Sequence, residues 1–288
     1  VLPGAGRLNH IPKPTRKCRA WERLVDEGWV TARSDAERWI MLRKVYAGGA
    51  PVTSAGQLLD RGAPLEVRGL DARFVAKGGY KLEGALDAFG LDITGRVALD
   101  AGASTGGFTD CLIKRGCQLV YAVDVGFGQL HGTLRANPAV VNLERTNIGD
   151  PSLWTLEPAP TLGAVDLSYL SLRHGVPAFA KALRGQGDLL CLVKPLFEIE
   201  DARARRDGVI PVGAYGPLLH GLCGALSNPS VAIRGVTHSP VTGNGGTVEF
   251  FLWITLGSEG GGLSPDALDA AIAGAVEAGI SLAPYKKT

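Results

Sequence analysis

The sequence predicts an α/β protein: a class I, Rossmann-like sheet of seven strands, mainly parallel and covered on both faces, preceded by a small α+β module. Three observations carry this. From about residue 81 onward, short apolar runs alternate with stretches of helical spacing, the pattern of a parallel sheet whose crossovers are helices. The stretch Leu99–Asp110, LDAGASTGGFTD, joins one such run to a helix through a glycine-rich turn, and Asp124 closes the next run. Finally, Val231–Thr237 and Val248–Leu256 lie too close together for a crossover helix, so they are expected to pair antiparallel at one edge.

A chain of 288 residues, 45% of them hydrophobic, can bury one large core and one small one. No apolar run is long enough for a membrane span, and no signal-peptide core stands at the front. Cys18, Cys111, Cys117, Cys191 and Cys223 form no C-x-x-C pair, so a reduced, cytoplasmic setting with no metal site is expected. The net charge of +2 conceals an asymmetry: residues 1–80 hold 14 Lys+Arg against 8 Asp+Glu, and the remainder 16 against 20. A small basic module on a larger acidic domain points toward a nucleic-acid partner.

In order along the chain, residues 1–16 carry three prolines and little apolar patterning and are expected to form a flexible basic arm. Trp21, Leu24 and Val25 give helical spacing over Ala20–Glu27, stopped by Gly28. Ser34 is expected to cap a second helix, Asp35–Lys44, with Glu37 completing a capping box. Val45–Val52, turning at Gly48–Gly49, and Leu65–Arg68 read as strands. This small domain is expected over 17–75. Lys81–Phe89 reads as a helix, followed by the strand Val97–Leu99 and the helix Phe108–Arg115. The strands Gln118–Asp124, Ala139–Leu143, Leu162–Leu167 and Asp188–Val193 then alternate with helices at Gln129–Ala136, Leu172–Leu183 and Val212–Ser227. The larger domain is expected over 76–258. Ser264 would cap a last helix to Glu277, in a helical appendage over 259–288.

The glycine turn and the second acid bear on the ligand. Gly102, Gly106 and Gly107 permit backbone geometry and close approach that a side chain would block. Asp124 stands about 20 residues past the first glycine, where open α/β sheets place a carboxylate on ribose hydroxyls. The diphosphate fingerprint G-x-G-x-x-G is not met, because Ser104 occupies its second glycine position. An adenosine ligand without a diphosphate, such as S-adenosyl-L-methionine, fits better. Gly102, Ser104, Gly106 and Gly107 would line its methionine part and Asp124 its ribose, while Asp100 would order the loop or the methionine amine. Lys81, Asp166, Lys194 and Glu249 all fall at or near the carboxyl-end rim of the expected sheet. Two lysines there can bias each other toward the neutral amine, with the carboxylates orienting them.

Two resemblances sharpen this reading. Two short helices followed by small strands, with RLVDEGWVTARSDAERWI among them, resemble the S4-type α-L RNA-binding module over about residues 17–70. The resemblance implies RNA phosphates facing Arg33, Arg38, Arg43 and Lys44; Gly48–Gly49 stands where that family usually has Asn-Gly. The segments VAKGGYKLEGALDAFG, LDAGASTGGFTD, YAVDVGFGQL, ERTNI, VDLSYLSL, LVKPLFE and THSPVTGNGGTVEFFLWI resemble successive motifs of the TlyA family, whose catalytic domain is of the FtsJ ribose methyltransferase type. That family implies 2′-O-methylation of cytidine in ribosomal RNA, a catalytic tetrad at Lys81, Asp166, Lys194 and Glu249, and Asn147 near the adenine. Leu196 departs from the more common Gln, and GGTVEF from Gly-Asn-x-Glu-Phe; the tetrad is intact. A non-catalytic RNA-binding or ribosome-assembly protein is the alternative. Membrane lysis, suggested by the haemolysin label of some family members, finds no span or basic amphipathic helix in this sequence.

Overall fold

The computed structural model describes residues 17–30, 32–41, 43–68, 73–167, 170–243, 246–257 and 261–282; the expected basic arm lies outside them. The chain divides into two units, Val1–Asp71 and Ala72–Thr288.

In the first unit, strands β1 (Lys17–Arg19) and β4 (Leu58–Asp60) pair antiparallel, and β2 (Val45–Ala47) lies between β3 (Ala50–Pro51) and β5 (Leu65–Val67). Helices α1 (Ala20–Asp26) and α2 (Arg33–Met41) bury Trp21, Leu24, Ala36 and Ile40. The β2–β3 turn needs positive φ at both central residues, and Gly48 (57°) and Gly49 (80°) supply it. Helix α2 departs from expectation at both ends. It starts at Arg33, so Ser34 lies inside its first turn, and Glu37 pairs with Arg33 at 2.7 Å instead of closing a capping box. It ends at Met41 because Arg43 turns left-handed (φ 54°), with Arg43 N–H bonded to Ile40 O and Lys44 N–H to Trp39 O. That is a Schellman cap with arginine where glycine is usual, and it places Arg43 and Lys44 beyond the helix.

The second unit is a seven-stranded sheet of order β11-β12-β10-β9-β6-β7-β8, formed by β6 (Val97–Ala101), β7 (Leu119–Asp124), β8 (Val140–Glu144), β9 (Leu162–Val165), β10 (Gly187–Val193), β11 (Val231–His238) and β12 (Phe250–Leu256). Strands β6 to β10 pair parallel, and β12 runs antiparallel to both its neighbours, as the short connection requires. Strand alternation divides the core. Leu99 and Ala101 face the layer of α6 (Leu172–Ala182) and α9 (Tyr215–Leu226), while Ala98 faces α3 (Gly78–Phe89) and α4 (Gly107–Lys114).

Three helices differ from the sequence reading. Helix α3 begins at Gly78, before Lys81, because Gly78 and Gly107 let the starts of α3 and α4 touch: a Cβ on Gly107 would lie 3.0 Å from the Cα of Gly78. Helix α5 is only Gly132–Arg135, capped by the His131 side chain, since Leu130 is packed with Leu134 under the glycine turn. The last helix, α10 (Pro265–Ser281), outruns Glu277 and puts Ile272 and Ala275 into the main core, with Ser264 capping it as expected. Helices α7 (Pro195–Glu198) and α8 (Ala202–Asp207), unanticipated, follow β10.

Candidate active site

The site occupies the carboxyl end of the parallel strands, and strand register brings Asp166, Lys194 and Glu249 together there. Leu99 and Asp100 of β6 pair with Gly163 and Ala164 of β9, and Cys191 of β10 pairs with Val165, so Gly102, Asp166 and Lys194 emerge side by side. Val193 pairs with Phe250, which sets Lys194 beside Glu249. The distant tetrad thereby becomes two neighbouring ion pairs. Lys194 Nζ lies 2.5 Å from Asp166 Oδ1 and remains partly open to solvent. Lys81, from the first turns of α3, donates to Glu249 Oε2, and both are buried.

The glycines of the turn serve the protein's own packing more than the sequence implied. Gly102 (φ 86°) passes so close to the Asp166 backbone that a Cβ would lie 2.2 Å from its carbonyl oxygen. Gly106 (φ 98°) presses on Leu134, and Gly107 on α3. Ser104 is exposed with φ 49°, and its N–H donates to Asp124 Oδ2 at 2.8 Å, while Gly126 N–H donates to Asp124 Oδ1 at 2.7 Å. Asp124 thus holds the turn at the end of β7. Asn147 is exposed, and its side chain accepts the Gly149 N–H at 2.9 Å, a turn-forming contact.

Asp100 is 0% exposed beneath the turn. Its Oδ2 accepts the Thr109 hydroxyl at 2.6 Å, and its Oδ1 makes no hydrogen bond. Burial pushes its carboxyl up to about 7, with the Asp166 and Asp124 carboxylates adding and the Thr109 bond opposing. Asp100, with an orphaned oxygen, suits a donor at the cationic end of a ligand, and Asp124 retains lone pairs for hydroxyl donors. These residues fit S-adenosyl-L-methionine.

Sequence reasoning missed several supports. Ser239, fully buried, donates its N–H to the Glu249 carbonyl at 2.8 Å, and a Cβ on Gly243 would fall 2.2 Å from Glu249 Oε1. The glycines before Glu249 were the available signal. On the rim, Phe127 is 67% exposed with the Arg145 guanidinium 4.2 Å from its ring centroid; Arg145 is left-handed (φ 56°), its N–H held by Gly126 O. In the first unit, Arg43 and Lys44 are exposed, and Arg33 lies 5.1 Å from the Trp21 ring; the Arg38 side chain lies outside the described residues.

A mostly parallel seven-stranded sheet of this order, with a glycine turn after its central strand, is the architecture of a class I methyltransferase. Residues 74–256 match the FtsJ-like methyltransferase family, and the chain belongs to it. It is 38% identical over 249 residues to the 16S/23S rRNA (cytidine-2′-O)-methyltransferase TlyA of Mycobacterium tuberculosis, covering 83% of this chain and 90% of that one. It is 35% identical over 190 residues to Hemolysin A of Brachyspira hyodysenteriae, covering 66% and 79%. A solved Streptococcus thermophilus structure, provisionally named a hemolysin, superposes with a TM-score of 0.73 at 32% identity, covering 90% of this chain and 95% of that one. Among the described residues, no helix is long and apolar enough to cross a membrane.

Proposed function

We propose that this protein transfers a methyl group from S-adenosyl-L-methionine to the 2′-hydroxyl of a cytidine in ribosomal RNA, in the cytoplasm. The observation that carries this is the adjacency of the Lys194–Asp166 and Lys81–Glu249 pairs beside the glycine turn. When bound, the cofactor supplies an electrophilic methyl group on a sulfonium. Asp124 would receive the ribose hydroxyls, Asp100 would serve the cationic methionine end, Gly102, Ser104, Gly106 and Gly107 would shape the cradle, and Asn147 would border the adenine. A ribose hydroxyl is a poor nucleophile until its proton is drawn away. Lys194, the more open of the two lysines, is the group assigned to draw that proton away, with Asp166 orienting it. Lys81 and Glu249, buried together, fix the floor beside it.

Ribosomal RNA as substrate is supported by the homologues' activity and by the rim, where an exposed ring stacked on a guanidinium is chemistry that holds nucleobases. Arg33, Arg38, Arg43 and Lys44 of the first unit are assigned to RNA phosphates; the cap that projects Arg43 and Lys44 beyond α2 favours this.

Single-turnover methyl transfer to ribosomal RNA by wild type, Lys194→Ala and Lys194→Arg tests the reaction. Removing a general base costs about 10²- to 10⁴-fold in rate, and arginine, always charged, should not rescue it. Near-normal transfer by Lys194→Arg would eliminate the assignment. Methylation of a substrate with a 2′-deoxy target nucleotide would place the acceptor on the base. Cofactor binding without transfer by wild type would favour a binding protein.

A further inference from the structure

Glu198 ends α7, four residues beyond Lys194, and is 7% exposed. Burying a carboxylate so deeply is costly unless each oxygen is hydrogen-bonded. Both are, and both to the start of α6. Oε1 accepts the Leu172 backbone N–H at 2.7 Å, and Oε2 accepts the Ser171 hydroxyl at 2.6 Å. Ser171 Oγ accepts the Arg173 N–H at 3.2 Å in turn, so the relay satisfies the first two amides of α6.

The placement ties this cap to the rim. Lys194 is the N-cap of α7, with Pro195 fixing the first turn and Phe197 N–H bonded to Lys194 O at 2.8 Å, so Glu198 is rigidly referred to Lys194. Ser171 lies five residues after Asp166, on the segment that leads from β9 into α6. The Glu198 carboxylate therefore ties the turn that begins at Lys194 to the start of α6, while the 2.5 Å ion pair ties Lys194 to Asp166 at the end of β9. We propose that Glu198 is a positioning residue for methyl transfer, clamping the turn that carries Lys194 against the start of α6 so that Lys194 keeps its alignment with Asp166. The proposal rests on the reading of Lys194 and Asp166 as the reacting pair.

The clamp makes a chemical demand. Two donors converge on Glu198, so both its oxygens must accept, and glutamine can satisfy only one of them. Glu198→Gln and Ser171→Ala are compared with wild type by following kcat and KM for both substrates, the pH profile of kcat, cofactor affinity and Tm. Small misplacement of a reacting group costs about 10- to 100-fold, and that loss is expected in kcat for Glu198→Gln, with both KM values within about twofold and cofactor affinity unchanged. The pH profile of kcat should change shape, because the Lys194–Asp166 pair is no longer held in register. Ser171→Ala should give a smaller loss in the same direction, and Ser171→Thr, which keeps the hydroxyl, should restore the profile. A merely structural role would lower Tm or the active fraction and leave the profile's shape intact. That outcome in Glu198→Gln overturns the proposal; if Glu198→Gln does not fold, an unshifted profile in Ser171→Ala overturns it. Wild type with no transfer at any pH defeats the underlying reading instead.

Discussion

Asp100→Asn isolates the electrostatics beneath the glycine turn. The substitution keeps the shape and an oxygen for the Thr109 hydroxyl, and it removes the only titration at that position. In the folded chain burial lifts the Asp100 carboxyl from an ordinary 3.8 to about 7. The folded value lies above the unfolded one, so the native state binds the extra proton. The stability it confers is fully present below about pH 4 and is lost as pH rises through 7. That displacement corresponds to about 4 kcal/mol. Chemical denaturation of wild type and Asp100→Asn from pH 4 to pH 8 reads it directly: wild type should lose stability relative to the variant by this order across the interval. A constant offset, of about 1–3 kcal/mol for the amide's own unpaired donors, is expected throughout. A difference that stays flat from pH 4 to pH 8 would refute the reasoning, because Asp100 would then be ionised at an ordinary value and stabilised by a partner.

Asp124→Ala should weaken binding of S-adenosyl-L-methionine by about 1–3 kcal/mol, as charge-assisted bonds to the ribose are lost; unchanged affinity in calorimetry would count against its placement. Gly102→Ala should destabilise the second unit by more than 1 kcal/mol or so, since it combines a left-handed residue with a Cβ driven against the Asp166 carbonyl; an unshifted thermal transition would show that the turn yields. Replacing Arg43 and Lys44 by Gln should weaken RNA binding and reduce its dependence on log salt by up to about two phosphate contacts. A slope identical to wild type would remove those side chains from the interface.

Much of this protein is local and therefore readable from its sequence. Strands such as Val97–Ala101 and Leu119–Asp124 are covered on both faces, so they must be apolar runs, and each carries an acid at or next to its carboxyl end. The glycine turn and the Ser264 cap are likewise local features, set by backbone geometry within a few residues. Helix ends were less legible. Arg43 takes a glycine's role at a Schellman cap, and α5 shrinks because Leu130 and Leu134 pack beneath Gly106. The pairing within the tetrad was decided only by the fold. Lys81 and Glu249 lie 168 positions apart, and no periodicity relates them. They meet because β12 runs antiparallel to β10 and returns Glu249 to the carboxyl rim, while two glycines let α3 close on α4 and bring Lys81 over it. Glu198 shows the same limit: beside Lys194 in LVKPLFE it reads as one more surface acid, and only the parallel pairing of β9 with β10 places the start of α6 where its carboxylate can accept two donors. Sequence periodicity specifies which face of an element is buried, but which elements become neighbours depends on long-range strand register and packing, and those contacts exist only in the assembled sheet.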